Sequence, residues 1–245
     1  MSLAARPPLP LPTPAPLAPP EGFAERLEGI GVRLDTAMLD RLGDYLGRLL
    51  AMNEQMNLTA IKDPVEAWEK HVLDALTLVP LLAEIGAGGR VVDVGSGGGV
   101  PGIPLAIARV DLRVTLVEAT QKKAAFLSAV AAALGLGNVS VRAERAEQLA
   151  AGDLRGAFDA ATARAVGRLV NLVPQTAPFV RSGGLLLLVK GQRADEELVE
   201  ARGVLGKQRC VHEKTVPTPT GRIVVLRRSG REEGARALWR PIGRG

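Results

Sequence analysis

The sequence predicts an α/β chain: a doubly wound, mostly parallel sheet with a terminal antiparallel hairpin, preceded by a small helical subdomain. Three observations predict it. Short β-branched runs alternate with helical runs from Arg90 onward. A glycine cluster follows the first of them, at the strand edge where open α/β sheets take their ligands. The last two strand-like runs are joined only by Pro217-Thr218-Pro219-Thr220-Gly221, too short for a crossover helix, so they pair as a hairpin.

Along the chain, the sequence divides into a proline-rich arm (1–20), a helical subdomain (21–86), a sheet domain (87–229) and a basic tail (230–245). The prolines of Met1–Pro20 lack amide donors and favour extended polyproline II, which predicts a mobile arm. From Phe23 the pattern is helical. Asp35 or Thr36 caps a helix running to about Met56, with Leu39, Leu42, Leu46, Leu49 and Leu50 along one face. Asp63 followed by Pro64 marks a second helix, to about Leu82, that carries His71. Between the two lies Asn53–Asp63, NEQMNLTAIKD, rich in small hydrogen-bonding side chains.

In the sheet domain, Arg90–Val94 reads as the first strand, then Arg113–Val117, Val139–Arg142, Phe158–Thr162, Leu185–Val189, Arg209–Lys214 and Ile223–Leu226. Helices are expected at Gln121–Leu134, around Leu169–Phe179 and at Ala194–Leu205.

The composition narrows the function. A length of 245 residues with 47% hydrophobic content suits one large domain with an appendage. Runs such as Leu185–Val189 are strand-length and the N-terminus lacks a basic-then-apolar signal, so no membrane span is expected. A single cysteine, Cys210, forbids an intrachain disulfide; a cytoplasmic location follows, with Cys210 an idle buried thiol. No pairing of Cys210, His71 and His212 has metal-ligand spacing, and without a coiled-coil seam a monomer is expected. The net charge of +5 is compatible with a polyanionic partner, while 3% aromatic content argues against a module that reads bases by stacking.

The glycines of RVVDVGSGGGVPGIPLAI can be parsed in two frames. Gly97-x-Gly99-x-x-Gly102 is the dinucleotide pattern, with a pyrophosphate at a helix N-terminus. Asp93-x-Gly95-x-Gly97-x-Gly99 instead puts a carboxylate before the glycines, which repels a pyrophosphate and attracts the ammonium of S-adenosylmethionine. Pro101 removes an amide an anion would use, and the terminal hairpin replaces the second βαβ half of a dinucleotide fold, so the S-adenosylmethionine frame is preferred. Glu118, about twenty residues on at the end of the second strand, can accept both ribose hydroxyls of either cofactor.

Four segments carry a resemblance: VDVGSGGGVPGIPLAI, the upstream NLTAIKDPVEAWEKHVLDAL, ATARAVGRL at the fourth strand and LVKGQ at the fifth. Together, in this order and over about Leu34 to Leu226, they resemble the bacterial small-subunit ribosomal RNA guanine-N7 methyltransferases, also called glucose-inhibited division protein B. The resemblance implies a Rossmann-like class I methyltransferase. It would move a methyl group from S-adenosylmethionine, leaving S-adenosylhomocysteine, to N7 of one guanine near the decoding site of 16S rRNA. The partner is then the small ribosomal subunit or its assembly intermediate.

By the same resemblance, Gly95, Ser96, Gly97, Gly98, Gly99 and Val100 border the methionine end of the cofactor, beside Asp93. Glu118 with Ala119 and Thr120 takes the ribose, and Ala146 and Glu147 the adenine. Arg164 faces the methyl-transfer site with Lys190 nearby, both as positioning groups; Asn57, Lys62, His71, Arg168, Gln192 and Arg222 are candidates for RNA. Asn53–Asp63 is expected, with Arg164–Arg168 and Lys190–Gln192, to form the RNA side of the site. Glycine stands at 98 where the family usually has proline, Ala75 replaces a serine, and Arg222-Ile223 replaces Arg-His, which removes any catalytic role for position 223.

No general base is expected, because N7 of guanine carries a lone pair and no proton. Lys122, Lys123, Arg142, Arg193 and the tail arginines from Arg227 on add cations for phosphates, and Trp239 a surface for an exposed base. Two other readings remain open from sequence: a methyltransferase of a small molecule or protein, and a non-catalytic RNA-binding assembly factor.

Overall fold

The computed structural model describes residues 10–164 and 167–230. Seven strands, β1(Arg90–Val94), β2(Arg113–Val117), β3(Val139–Arg142), β4(Phe158–Arg164), β5(Val180–Lys190), β6(Cys210–Pro217) and β7(Arg222–Arg228), make one sheet. Their order is β3-β2-β1-β4-β5-β7-β6. The first five are parallel, and β7 is antiparallel to both β5 and β6, which gives the expected terminal hairpin.

Alternation along each strand feeds two faces. Val91 packs with Leu105, Leu185 and Leu187 on one side of the sheet, whereas Val92 and Val94 pack with Leu172, Leu186 and Leu188 on the other. Helices α7(Ala146–Ala151), α8(Leu169–Thr176), α9(Ala194–Glu200) and α10(Arg202–Lys207) contribute to the core that holds Val92. The opposite face carries α5(Gly102–Ala108) and α6(Gln121–Ala133), which share a core with the N-terminal helices α1(Phe23–Gly29) and α2(Thr36–Met56). The helical segment 21–86 therefore joins the core of the sheet domain.

Asp35 caps α2 as expected, its carboxylate accepting from Met38 N at 2.7 Å, and Asn57 closes it in the left-handed conformation at φ 49. The second helix departs from its prediction. It begins as α3(Pro64–Ala67), widens into a π-helical turn over Trp68–Leu73, and ends in α4(Asp74–Leu76) before a 3-10 turn at Pro80–Leu82. Apolar periodicity does not encode that widening, and the turn carries His71 and the Lys70 carbonyl that Arg164 bonds.

Further expectations are revised, beyond shifts of a residue or a few at strand ends. β5 starts at Val180 because Gly184 lets it pass close to β4, where a Cβ would lie 2.5 Å from the Asp159 carbonyl oxygen. The single helix expected over Ala194–Leu205 breaks at Ala201 into α9 and α10. The mobile arm is corrected for residues 10–20: Leu17 N–H donates to the Gly43 carbonyl at 3.1 Å, and the Arg48 guanidinium donates to the Pro12 carbonyl at 3.2 Å. This segment is seated on α2, with Leu11 and Leu17 against its core. Met1–Leu9, Ala165, and the tail with Arg231, Arg236, Trp239, Arg240 and Arg244 lie outside the described residues. Among the described residues, no helix is long and apolar enough to cross a membrane.

Candidate active site

β1 delivers the chain into Gly95–Gly99, where three glycines take left-handed conformations: φ is 74 at Gly95, 55 at Gly97 and 101 at Gly99. L side chains rarely tolerate these values, so the glycine requirement is steric. The loop is held peptide by peptide. Gly97 N–H donates to Glu118 Oε2 at 3.0 Å, Gly99 N–H to the Ser96 carbonyl at 2.7 Å and Gly102 N–H to Asp93 Oδ2 at 3.3 Å. The Gly98 carbonyl accepts from the Tyr45 hydroxyl at 3.0 Å.

A cleft of about 570 Å³ opens over this loop. Gly95, Ser96, Gly97, Gly98 and Val100 form its floor, and Glu118 and Lys123 one wall. The other side is Leu49 of α2 with Leu58–Ile61, and His71 and Arg164 close it. β1, β2 and β4 thus deliver the loop, Glu118 and Arg164 to one sheet edge, and the helical segment covers them.

Glu118 is 8% exposed, and its Oε1 accepts from Thr120 N–H at 2.7 Å while Oε2 takes Gly97. Each oxygen keeps a lone pair, enough for two hydroxyl donors. Gly97 fits a ligand too: a Cβ there would meet nothing nearer than the Gly95 carbonyl oxygen at 3.9 Å, so bare backbone faces open space. Both observations suit a nucleoside cofactor in the cleft.

Arg164 donates to the Lys70 carbonyl of the π-helical turn. Burial lowers its pKa, while the charges of Asp74 and Asp93 and the Tyr45 hydroxyl oppose that shift; guanidinium stays charged throughout. His71 is 6% exposed, with Nε2 2.8 Å from Thr59 Oγ1. Burial, then the neighbouring Arg164 charge, pushes it down to about 4, so the imidazole is neutral near pH 7.

Two expected site residues have other tasks. Asp93, expected to face an ammonium group, is 1% exposed and turned beneath the loop, where Oδ1 accepts from Thr162 Oγ1 at 3.0 Å and Oδ2 from Gly102 N–H. Burial pushes its carboxyl up to about 6. Lys190 does not line the cleft: its ammonium pairs with Glu197 Oε2 at 2.9 Å and donates to the Gly167 carbonyl, leaving the side chain 8% exposed. Glu197 also accepts from Leu169 N–H at 2.9 Å, so Lys190 ties α9 to the start of α8. Sequence shows a lysine at a strand end but not the acid that folds back onto it.

Of the remaining candidates, Gly99 packs beneath the floor, and Ala119, Thr120, Ala146 and Glu147 follow β2 and β3 outside the cleft wall. Asn57, Lys62 and Gln192 are exposed. Arg168 pairs with Glu200, Arg222 with Asp195, Arg193 with Glu196, and Arg142 with Glu144 and Asp153. Sequence reasoning missed Leu49, which lines the cleft, and Tyr45, which bonds its floor from beneath, while Thr59 falls within the loop Asn53–Asp63 expected on the RNA side. Tyr45 and Leu49 sit on an apolar helical face, where periodicity signals core and nothing more.

Solved structures share the architecture. A SAM dependent methyltransferase from Aquifex aeolicus aligns at a TM-score of 0.51 and 14% identity, covering 70% of this chain and 96% of that one. A ribosomal protein L11 methylase from Lactobacillus delbrueckii subsp. bulgaricus aligns at 0.50 and 18% identity, covering 64% and 79%. Sheet order, terminal hairpin and glycine-floored cleft define a protein of the class I methyltransferase fold. The family model of rRNA small subunit methyltransferase G matches residues 38–223, and the chain belongs to that family. The chain is 74% identical over 227 residues to the ribosomal RNA small subunit methyltransferase G of Sorangium cellulosum, covering 93% of this chain and 95% of that protein. It is 44% identical over 177 residues to the protein of that name from Burkholderia thailandensis, covering 72% and 77%.

Proposed function

We propose that this enzyme transfers a methyl group from S-adenosylmethionine to N7 of one guanine in the 16S rRNA of the small ribosomal subunit or its assembly intermediate. The observation that carries the reading is the convergence of the glycine floor, the Glu118 carboxylate and Arg164 on one cleft in a chain of this family. Gly95–Val100 would hold the methionine end, Glu118 the ribose hydroxyls, and Ala146 and Glu147 at the start of α7 the adenine. When bound, S-adenosylmethionine supplies a methyl group on a positively charged sulfur and leaves as S-adenosylhomocysteine.

The protein's work is alignment. Guanine N7 offers a lone pair with no proton to remove, so no side chain need act as a base. Holding the two reactants in near-attack geometry can account for about 7–11 kcal/mol of barrier reduction. Repulsion of a base that becomes cationic is limited rather than absent: His71 is neutral, and the Arg164 charge is countered by Asp74 and Asp93. Arg164 is therefore assigned to an oxygen of the ligands: guanine O6, a phosphate or the methionine carboxylate. Leu58–Ile61 and Lys123 form the side of the cleft open to RNA.

Arg164→Ala tests the assignment. Loss of a charged hydrogen bond of this kind corresponds to about 1.5–3 kcal/mol, a fall in kcat/KM of roughly tenfold to a hundredfold. Unchanged cofactor affinity together with unchanged RNA turnover would remove Arg164 from the site.

A further inference from the structure

Tyr45 is the single tyrosine of the chain, and its side chain is completely buried. It does not line the cleft, but its hydroxyl donates to the Gly98 carbonyl at 3.0 Å. At the other end of the same peptide, Gly99 N–H donates to the Ser96 carbonyl at 2.7 Å. A peptide between two glycines has no Cβ on either side to resist rotation, so these two hydrogen bonds fix its plane. α2 also meets the backbone itself. A Cβ at Gly99 would lie 3.4 Å from the Tyr45 oxygen, and one at Gly98 would lie 2.8 Å from Leu49 Cδ1. Burial holds the phenol far above its ordinary pKa, so it remains a donor across the working range.

We propose that Tyr45 is a positioning residue of the methyl-donor site, setting the Gly98–Gly99 peptide in the orientation the cofactor meets. The inference rests on the cofactor reading above. Tyr45 acts through the loop, and α2 is braced for this from its outer side by residues 10–20, which are bonded to Gly43 and Arg48. The arm lies outside residues 38–223, the stretch that the family model matches.

Calorimetric titration of the full chain with S-adenosylhomocysteine tests it, comparing wild type, Tyr45→Phe and Thr176→Val. Tyr45→Phe keeps the ring and removes only the donor. Thr176→Val removes a comparable buried donor, the hydroxyl held 2.9 Å from the Leu172 carbonyl in α8 on the opposite face of the sheet. Both variants should lower Tm. Only Tyr45→Phe should raise the cofactor Kd, by about tenfold, with the KM for RNA and kcat at saturating S-adenosylmethionine unchanged. Equal Kd values for wild type and Tyr45→Phe, or a loss shared by both variants, would overturn the proposal. A wild-type chain that binds no S-adenosylhomocysteine would overturn the cofactor reading and this proposal with it.

Discussion

His71 and Asp93 titrate in opposite senses over the same pH window. The unfolded chain protonates His71 near 6.5, whereas burial and Arg164 delay protonation in the fold to about 4. Its contribution to stability is complete above pH 6.5 and falls away as pH drops towards 4. Asp93, pushed by burial from 3.8 to about 6, takes up its proton earlier in the folded chain, so the fold gains stability between pH 6 and 3.8. The two nearly offset, and His71→Asn uncovers the Asp93 contribution. Relative to wild type, the variant should gain up to about 3 kcal/mol in urea unfolding between pH 7 and pH 4.5. A difference that stays constant with pH would contradict the burial of a neutral His71. Sequence offered His71 and Asp93 as candidates by residue type and spacing. Their burial and partners are set by the tertiary fold, Thr59 and the distant Arg164 for the one, the distant Thr162 and the fold-back of Gly102 for the other, which no local pattern displays.

Among elements, α2 does the least predictable work. Its span over Thr36–Met56 was legible from the Asp35 cap and the leucine spacing, as were β2 and β3 from their β-branched runs. Its two-sided docking was not. One side carries Tyr45 and Leu49 to the glycine loop, and the other uses Gly43 and Gly47 to let backbone approach. A Cβ on Gly43 would sit 2.3 Å from the Leu17 carbonyl oxygen, and one on Gly47 would sit 3.1 Å from that of Ala15. Prolines forbid regular structure in the arm but leave an extended segment free to lie along a helix. Gly43→Ala should therefore destabilise the protein by about 1–3 kcal/mol through overpacking. Gly203→Ala in α10, where a Cβ meets nothing within 4 Å, should stabilise it by about 0.5–1 kcal/mol. Equal effects in thermal unfolding would contradict the seating of residues 10–20 on α2.

At the scale of the molecule, strand–helix alternation, the glycine loop and the short terminal turn were enough to predict a doubly wound, mostly parallel sheet ending in a hairpin, because handedness and connection rules leave few alternatives; the insertion of β7 between β5 and β6 was not legible. The grouping of Gly95–Gly98 with Glu118 in one cleft was equally legible, since they lie at consecutive strand ends. The opposite wall was legible only in part. The loop Asn53–Asp63 stood out by composition, but the way α2, residues 58–61 and the π-helical turn fold over the sheet edge did not, and Arg168 and Arg222, expected as candidates for RNA, are held in ion pairs, as is Lys190, expected as a positioning group.

The most direct measurement is mass spectrometry of digested 16S rRNA, after undermethylated small subunits are incubated with the full chain and S-adenosylmethionine labelled in its methyl group. The label should appear as 7-methylguanine at one position and disappear with Glu118→Ala. Label on another atom, on another base or in protein, or no transfer at all, would contradict it.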